Sequence, residues 1–161
     1  MRTMRKRRRQ NRTDYKARIA LLKSEKPRVV VRKTNRYILS QLISSDLAQD
    51  KVSIGANSKE LLLFGWPKDK EGALKSLPAS YLTGFLLGKK VSLNCKHAVL
   101  DIGLHRNVPK SRIYSFLKGI LDYGVSIPHN KDILPSDEQI RKDTEIGKLI
   151  DSIKNKIKGG K

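Results

Sequence analysis

The first twelve residues, MRTMRKRRRQNR, hold seven arginines and lysines and no acid. A run of that kind has no apolar face to bury, so it stays outside any core and is ordered only by an anionic partner. It also fixes where a fold can begin, because every apolar stripe in the chain lies after Thr13.

The charge is segregated well beyond that run. Residues 1–36 carry 15 Lys/Arg against 2 Asp/Glu, residues 37–135 carry 13 against 8, and residues 136–161 carry 7 against 5. Of the formal charge of +20, +13 therefore sits in the first 36 residues. A chain so polarised repels itself unless a polyanion neutralises it. Its 161 residues suit one domain with tails. The expected division is a basic arm at 1–13, a single domain at 14–135 and a helical extension at 136–161.

The lone Cys95 permits no intrachain disulfide. No apolar segment follows the basic start as a secretory signal requires, and no apolar run approaches the ~18 residues of a membrane span. A soluble, cytoplasmic protein is expected.

Thr13 offers an N-cap to a short helix over 14–23, with Tyr15, Ile19 and Leu22 on one side and Lys16, Arg18 and Lys23 on the other. RVVVRK and YILSQLIS read as two strands around a KTNR hairpin turn, in which Asn35 suits a left-handed backbone, and a third strand at about 51–56 completes a meander. Ser58 caps a short helix that Gly65 ends, and 67–76 reads as loop. Pro78 starts a helix with Leu82, Phe85, Leu86 and Leu93 on a stripe, and Gly84 and Gly88 let it approach the sheet closely. HAVLDIG reads as a strand buried on both faces. Ser111 caps a helix that Gly124 closes, Ser136 and Gln139 form a capping box, and Ile146, Leu149, Ile150, Ile153 and Ile157 mark a last amphipathic helix. A meander followed by strand-and-helix alternation indicates an α/β fold, one mixed sheet with helices packed on it.

The stretch VLDIGLHRNVPKSRIY resembles the entrance to an active site, with Asp101, His105 and Arg106 in a turn before a helix. A nucleophile–base site needs a third, orienting member, and none is evident; a carboxylate at a strand end more often pairs with an arginine or caps a turn. Cys95, His97, His105 and His129 lack zinc-ligand spacing, the first strand carries no acid for a two-metal nuclease, and no glycine-rich phosphate loop occurs. No catalytic residue, metal or cofactor is expected.

Nucleic acid is the partner the residues favour. Arginine matches phosphate with its fork of donors, and cations recur at the turns: Arg28, Arg32, Lys33 and Arg36 around the hairpin, then Arg106, Lys110 and Arg112 after the fourth strand. Arg18 adds to them from the first helix. Tyr15, Tyr37 and Trp66 stand near enough to stack on bases, or else pack in the core. A merely solvated tail remains the bland alternative for the arm. Two other functions compete: an RNA-processing nuclease on a related fold, and a nonspecific nucleic-acid-compacting protein.

Taken together, RTDYKARIALLKSEKPRVVVRKTNRYILSQ, GWPKD, PASYLTGFLLGKK, AVLDIGLHRN, SRIYSFLKGILDYGVSIPHN and ILPSDEQIR resemble the archaeal form of the L-eighteen family of large-subunit ribosomal proteins, from about Arg5 to Arg141. The resemblance implies a ribonuclease-H-like three-layer core without nuclease activity. It also implies binding to 5S ribosomal RNA and attachment of that RNA to 23S ribosomal RNA in the central protuberance, beside neighbouring large-subunit proteins. Neither a membrane nor a homo-oligomer enters this picture. The family's arm maps onto Arg5, Lys6, Arg7, Arg8, Arg9, Arg12 and Tyr15, its hairpin onto Arg32, Lys33 and Asn35, and its loop onto His105 and Arg106.

Overall fold

Three consecutive valines, Val29 to Val31, have the β-branched character of a strand. In the computed structural model, which describes residues 6–11, 13–46, 49–141 and 144–159, they lie in β1 (Arg28–Lys33). β2 (Ile38–Asp46) pairs with it antiparallel, and β3 (Gln49–Asn57) pairs with β2, with a register shift at Leu42/Ile43. β4 (Val99–Asp101) joins the other side of β1 in parallel, giving the order β3-β2-β1-β4. The expected meander and mixed sheet are present. β4 is a three-residue edge strand with Val99 and Leu100 only half-buried, not the doubly buried strand its composition suggested.

Two short helices precede the sheet, α1 (Lys6–Arg9) and α2 (Tyr15–Lys23). Asp14 rather than Thr13 is the N-cap of α2, its carboxylate accepting from the amides of Lys16 and Ala17 at 2.9 and 3.1 Å. A carboxylate also complements the positive end of the helix, which a hydroxyl does not. The anticipated apolar stripe of α2 is only partly covered: no residue of α2 is fully buried, Tyr15 and Leu22 are half-buried, and Ile19 is 53% exposed.

After β3, a 3-10 helix (Ser58–Phe64) is capped by Asn57 in a capping box with Glu60. Ser58, the expected cap, instead accepts the Ile38 amide at 3.1 Å, and Gly65 closes the element in the left-handed region as expected. The polar stretch expected as loop contains a second 3-10 helix, Lys68–Ala73. Among the described residues the left-handed non-glycine positions are Asn11, Glu25 and Lys110, so Asn35 in the hairpin turn does not take that conformation. Thr34 makes the turn instead, its hydroxyl accepting from the Tyr37 amide at 2.9 Å and donating to the Tyr37 carbonyl at 2.8 Å.

α3 (Leu77–Ser92) is buried continuously from Pro78 to Gly88, held among the sheet, α4 (Arg112–Tyr123) and α6 (Thr144–Gly159). Its glycines serve α4 and not the sheet. A Cβ on Gly84 would stand 2.0 Å from the Phe116 carbonyl oxygen, and one on Gly119 of α4 would stand 2.1 Å from that of Tyr81. Two backbones meet there with no side chain between them. Leu93, placed on the α3 stripe by spacing, falls past the helix end and is 90% exposed. Ser111 occupies the N-cap position of α4, but its hydroxyl makes no capping bond, while the Ser136–Gln139 capping box on α5 (Asp137–Ile140) is present. Ile150, Ile153 and Ile157 of α6 enter the same hydrophobic core as the sheet and α3.

Strand alternation gives the sheet two unlike faces. Val29 and Val31 point into the core beneath α3, while Arg28, Val30 and Arg32 point to the opposite face. That outer face carries the charges.

Candidate nucleic-acid interface

Three arginines and two aspartates form an alternating chain across the outer face. Arg18 Nη2 of α2 meets Asp50 Oδ2 at 2.8 Å, and Asp50 Oδ1 accepts from Arg28 Nη2 at 2.6 Å. Arg28 Nη1 reaches Asp101 Oδ2 at 3.2 Å, and Asp101 Oδ1 meets Arg32 Nη2 at 3.2 Å. Ser45, opposite Asp50 in the β2–β3 register, donates to it at 2.7 Å. Burial pushes the Asp50 carboxyl upward, but the hydrogen bonds from Ser45 and Arg28 and the charges of Arg28 and Arg18 outweigh it, holding Asp50 below the ordinary carboxylate value.

Arg28 is thereby corrected from a contact residue to a support. It is 3% exposed, with its guanidinium taken up by Asp101, Asp50 and Ser45. An arginine this deep is tolerable only because two carboxylates share it. Arg32, at the more open end of the chain, donates to the carbonyls of Val31 and Asp101 at 2.8 and 2.9 Å and keeps an exposed flank. Asp101 also accepts the Gly103 amide at 2.8 Å, so it pairs with arginines and caps a turn at once and holds nothing in a catalytic posture. Gly103 has φ +60°, and a Cβ there would lie 2.7 Å from the Arg32 guanidinium carbon.

β1 and β4 run in parallel, so the hairpin turn and the loop after β4 emerge from the same end of the sheet. The Lys33 amide donates to His105 Nε2 at 3.0 Å and ties them together. Burial, then the charges of Arg32 and Lys33, lower the His105 pKa, which keeps the imidazole neutral and able to accept. Two further anchors fix the loop: the Tyr114 hydroxyl donates to Asn107 Oδ1, and the Lys110 amide donates to the Ile133 carbonyl at 2.8 Å, with Lys110 at φ +58°. The exposed rim that results carries Lys33, Asn35, Arg36, Arg106 and Lys110, with Arg32 and His105 half-buried behind it. A cleft of about 700 Å³ separates this end from α2, lined by Ala17, Leu21, Arg32, Ile102, Leu104 and His105 among others.

The remaining expected contacts are spread out. Lys6, Arg7, Arg8 and Arg9 lie on α1, with Lys6 and Arg9 exposed, whereas Arg5 and Arg12 fall outside the described residues. Tyr15 is half-buried at the start of α2, and Arg112 is half-buried at the start of α4. Trp66 belongs to the core: it is 3% exposed and its Nε1 donates to the Lys70 carbonyl at 3.0 Å. Tyr37 packs half-buried against the same core. Nothing in the sequence around Asp50 and Ser45 marks them for this network. Only the hairpin register brings them beside Arg28, and no local motif carries that information. Among the described residues no group of three or more His, Cys, Asp or Glu could hold a metal ion, and no helix is long and apolar enough to cross a membrane.

Comparison with known proteins identifies relatives over most of the chain. Residues 1–98 match the family model described as ribosomal large subunit proteins 60S L5 and 50S L18. The chain is 47% identical over 137 residues to large ribosomal subunit protein uL18 of Methanospirillum hungatei, covering 84% of this chain and 76% of the relative. It is 48% identical to uL18 of Korarchaeum cryptofilum, covering 84% and 68%. Against uL18 of Methanococcoides burtonii it is 40% identical over 161 residues, covering 94% and 91%.

Proposed function

Since the chain belongs to the family of large-subunit ribosomal proteins that includes L18, we propose that it binds 5S ribosomal RNA and helps fasten it to 23S ribosomal RNA in the central protuberance. Membership makes it a structural, non-enzymatic constituent of the large ribosomal subunit, and so a protein of the cytoplasmic ribosome. The observation that supports the finer reading is the joined rim. The hairpin and the loop after β4, held together by the Lys33–His105 hydrogen bond, present Lys33, Arg36 and Arg106 from one fixed end of the sheet. A rigid scaffold that displays cations on short loops suits a folded RNA, whose phosphates stand at set spacings.

In this reading residues 1–13, with α1 already helical, act as an RNA-binding arm, residues 14–135 form the body, and residues 136–161 extend it. The protein works as one copy among neighbouring large-subunit proteins, with no cofactor. The test is capture. Immobilised full-length protein is mixed with total RNA from an archaeon carrying such a relative, washed at moderate salt, and the retained RNA is sized and sequenced. Enrichment of 5S ribosomal RNA over transfer RNA of similar length is expected. Equal retention of both, or of duplex DNA, would point to nonspecific compaction and sink the proposal.

A further inference from the structure

We propose that Asp50 is a latch for α2: it holds Arg18 against the sheet in the free protein and yields it to an RNA phosphate on binding. This rests on the RNA-binding reading above. Asp50 holds two arginines on unequal terms. Arg28 is almost wholly buried, bonded to Asp50 at 2.6 Å and anchored again on Asp101 and Ser45. Arg18 is 36% exposed at the side chain, meets the other carboxylate oxygen at 2.8 Å, and rides on a helix with no buried residue. Losing Arg18 leaves Asp50 still paired with Arg28 and Ser45, so the carboxylate is never stranded. Keeping Arg18 requires only one part-exposed ion pair, a contact that water and salt weaken readily.

The setting favours exchange. A cleft of about 700 Å³ lies between α2 and the outer face, and the helix meets that face through half-buried side chains only. Glu25, in the link from α2 to β1, sits at φ +54°, so the connection turns sharply instead of continuing the helix. Behind α2, the arm brings its cations to the same polyanion. A phosphate approaching α2 therefore competes with Asp50 for Arg18, and α2 moves with its arginine. Asp50 is a positioning residue in this scheme and touches no RNA.

Two measurements on the full chain test it, using an Ile19→Cys, Lys59→Cys, Cys95→Ser background with nitroxide labels and a 5S ribosomal RNA transcript. In free protein, Asp50→Asn and Arg18→Gln should both broaden the distance distribution between the labels, while Asp46→Asn, which removes the same charge from the same hairpin, should not. In binding, Asp50→Asn should tighten the complex about threefold or more, Asp46→Asn less than twofold, and Arg18→Gln should weaken it. Unchanged label distances in Asp50→Asn would overturn the latch whatever the RNA does. Equal tightening by Asp50→Asn and Asp46→Asn would overturn it too, reducing Asp50 to bulk charge. Failure of the parent protein to bind the transcript, with the distances responding as expected, would instead remove the RNA reading alone.

Discussion

The Lys33 amide donates to His105 Nε2 across 3.0 Å, joining two loops that are 72 residues apart in the chain. The bond exists only while that nitrogen is unprotonated. Burial and the charges of Arg32 and Lys33 hold the folded-state pKa of His105 below its ordinary value of 6.5. The unfolded chain therefore binds the proton first, and stability rises with pH across that interval. The contribution is complete above the unfolded value and is lost as pH falls toward the lowered folded one. Without RNA, the melting temperature should drop by about 1–3 °C between roughly pH 7.5 and 5.5. His105→Ala should start lower and show a flatter profile. An unchanged profile in that variant would release His105 from the role.

Arg28 supports a second expectation. Removing one member of a buried ionic group leaves its partners uncompensated, at a cost of about 3–5 kcal/mol. Arg32 and Arg18 keep part of the compensation for Asp101 and Asp50, so Arg28→Ala should fall near the lower end, about 3 kcal/mol by urea unfolding. Arg36→Ala, on the exposed rim, should change stability by less than about 0.5 kcal/mol.

The α3–α4 contact is harsher. A methyl on Gly84 has nowhere to go, because it meets the Phe116 carbonyl rather than a movable side chain. Overpacking costs about 1–3 kcal/mol where neighbours can shift, and backbone in a second helix shifts least. Gly84→Ala is expected at or above that range, with loss of cooperative unfolding as the extreme. Gly72→Ala, with nothing within 4 Å of the new carbon, should be neutral.

These sites also show what could be read in advance. The valines of β1, the Gly65 and Gly124 helix ends and the α4 stripe were legible because each is set by neighbours a few residues away. The close approach at Gly84 was legible too, but its partner was not, since small residues say that something comes near and not what. The same boundary runs through the site. Arg28 and Arg36 look alike in sequence, yet one points under α2 at two carboxylates and the other out from a turn. Strand phase decides between them, and it depends on pairings with residues 43 and 99.

If the basic arm binds RNA as proposed, the interaction should be salt-dependent. If six to ten phosphates are neutralised, log affinity against log salt should have a slope of roughly −4 to −9, at about 0.7–0.9 per phosphate. Deleting residues 1–12, which hold seven of the cations, should flatten that slope and weaken binding at least tenfold. Thermal unfolding should move by only a few degrees. A wild-type slope shallower than about −2 would remove the electrostatic basis of binding.

Arg106 is the sharpest test of the rim. It is exposed on a loop pinned on both sides, by His105 to the Lys33 amide and by Lys110 to the Ile133 carbonyl. A pinned loop loses little entropy on binding, so the charge it presents counts nearly in full. A charge-assisted bond to phosphate contributes about 1.5–3 kcal/mol, and Arg106→Ala should weaken binding to 5S ribosomal RNA about tenfold or more. Stability should be nearly unchanged, because the anchors belong to its neighbours. Arg106→Lys should recover only part of the loss, since an ammonium cannot reproduce the planar fork of donors. Filter binding on the three proteins beside their melting curves decides it: an alanine variant that binds normally but melts much earlier would make the side chain part of the architecture.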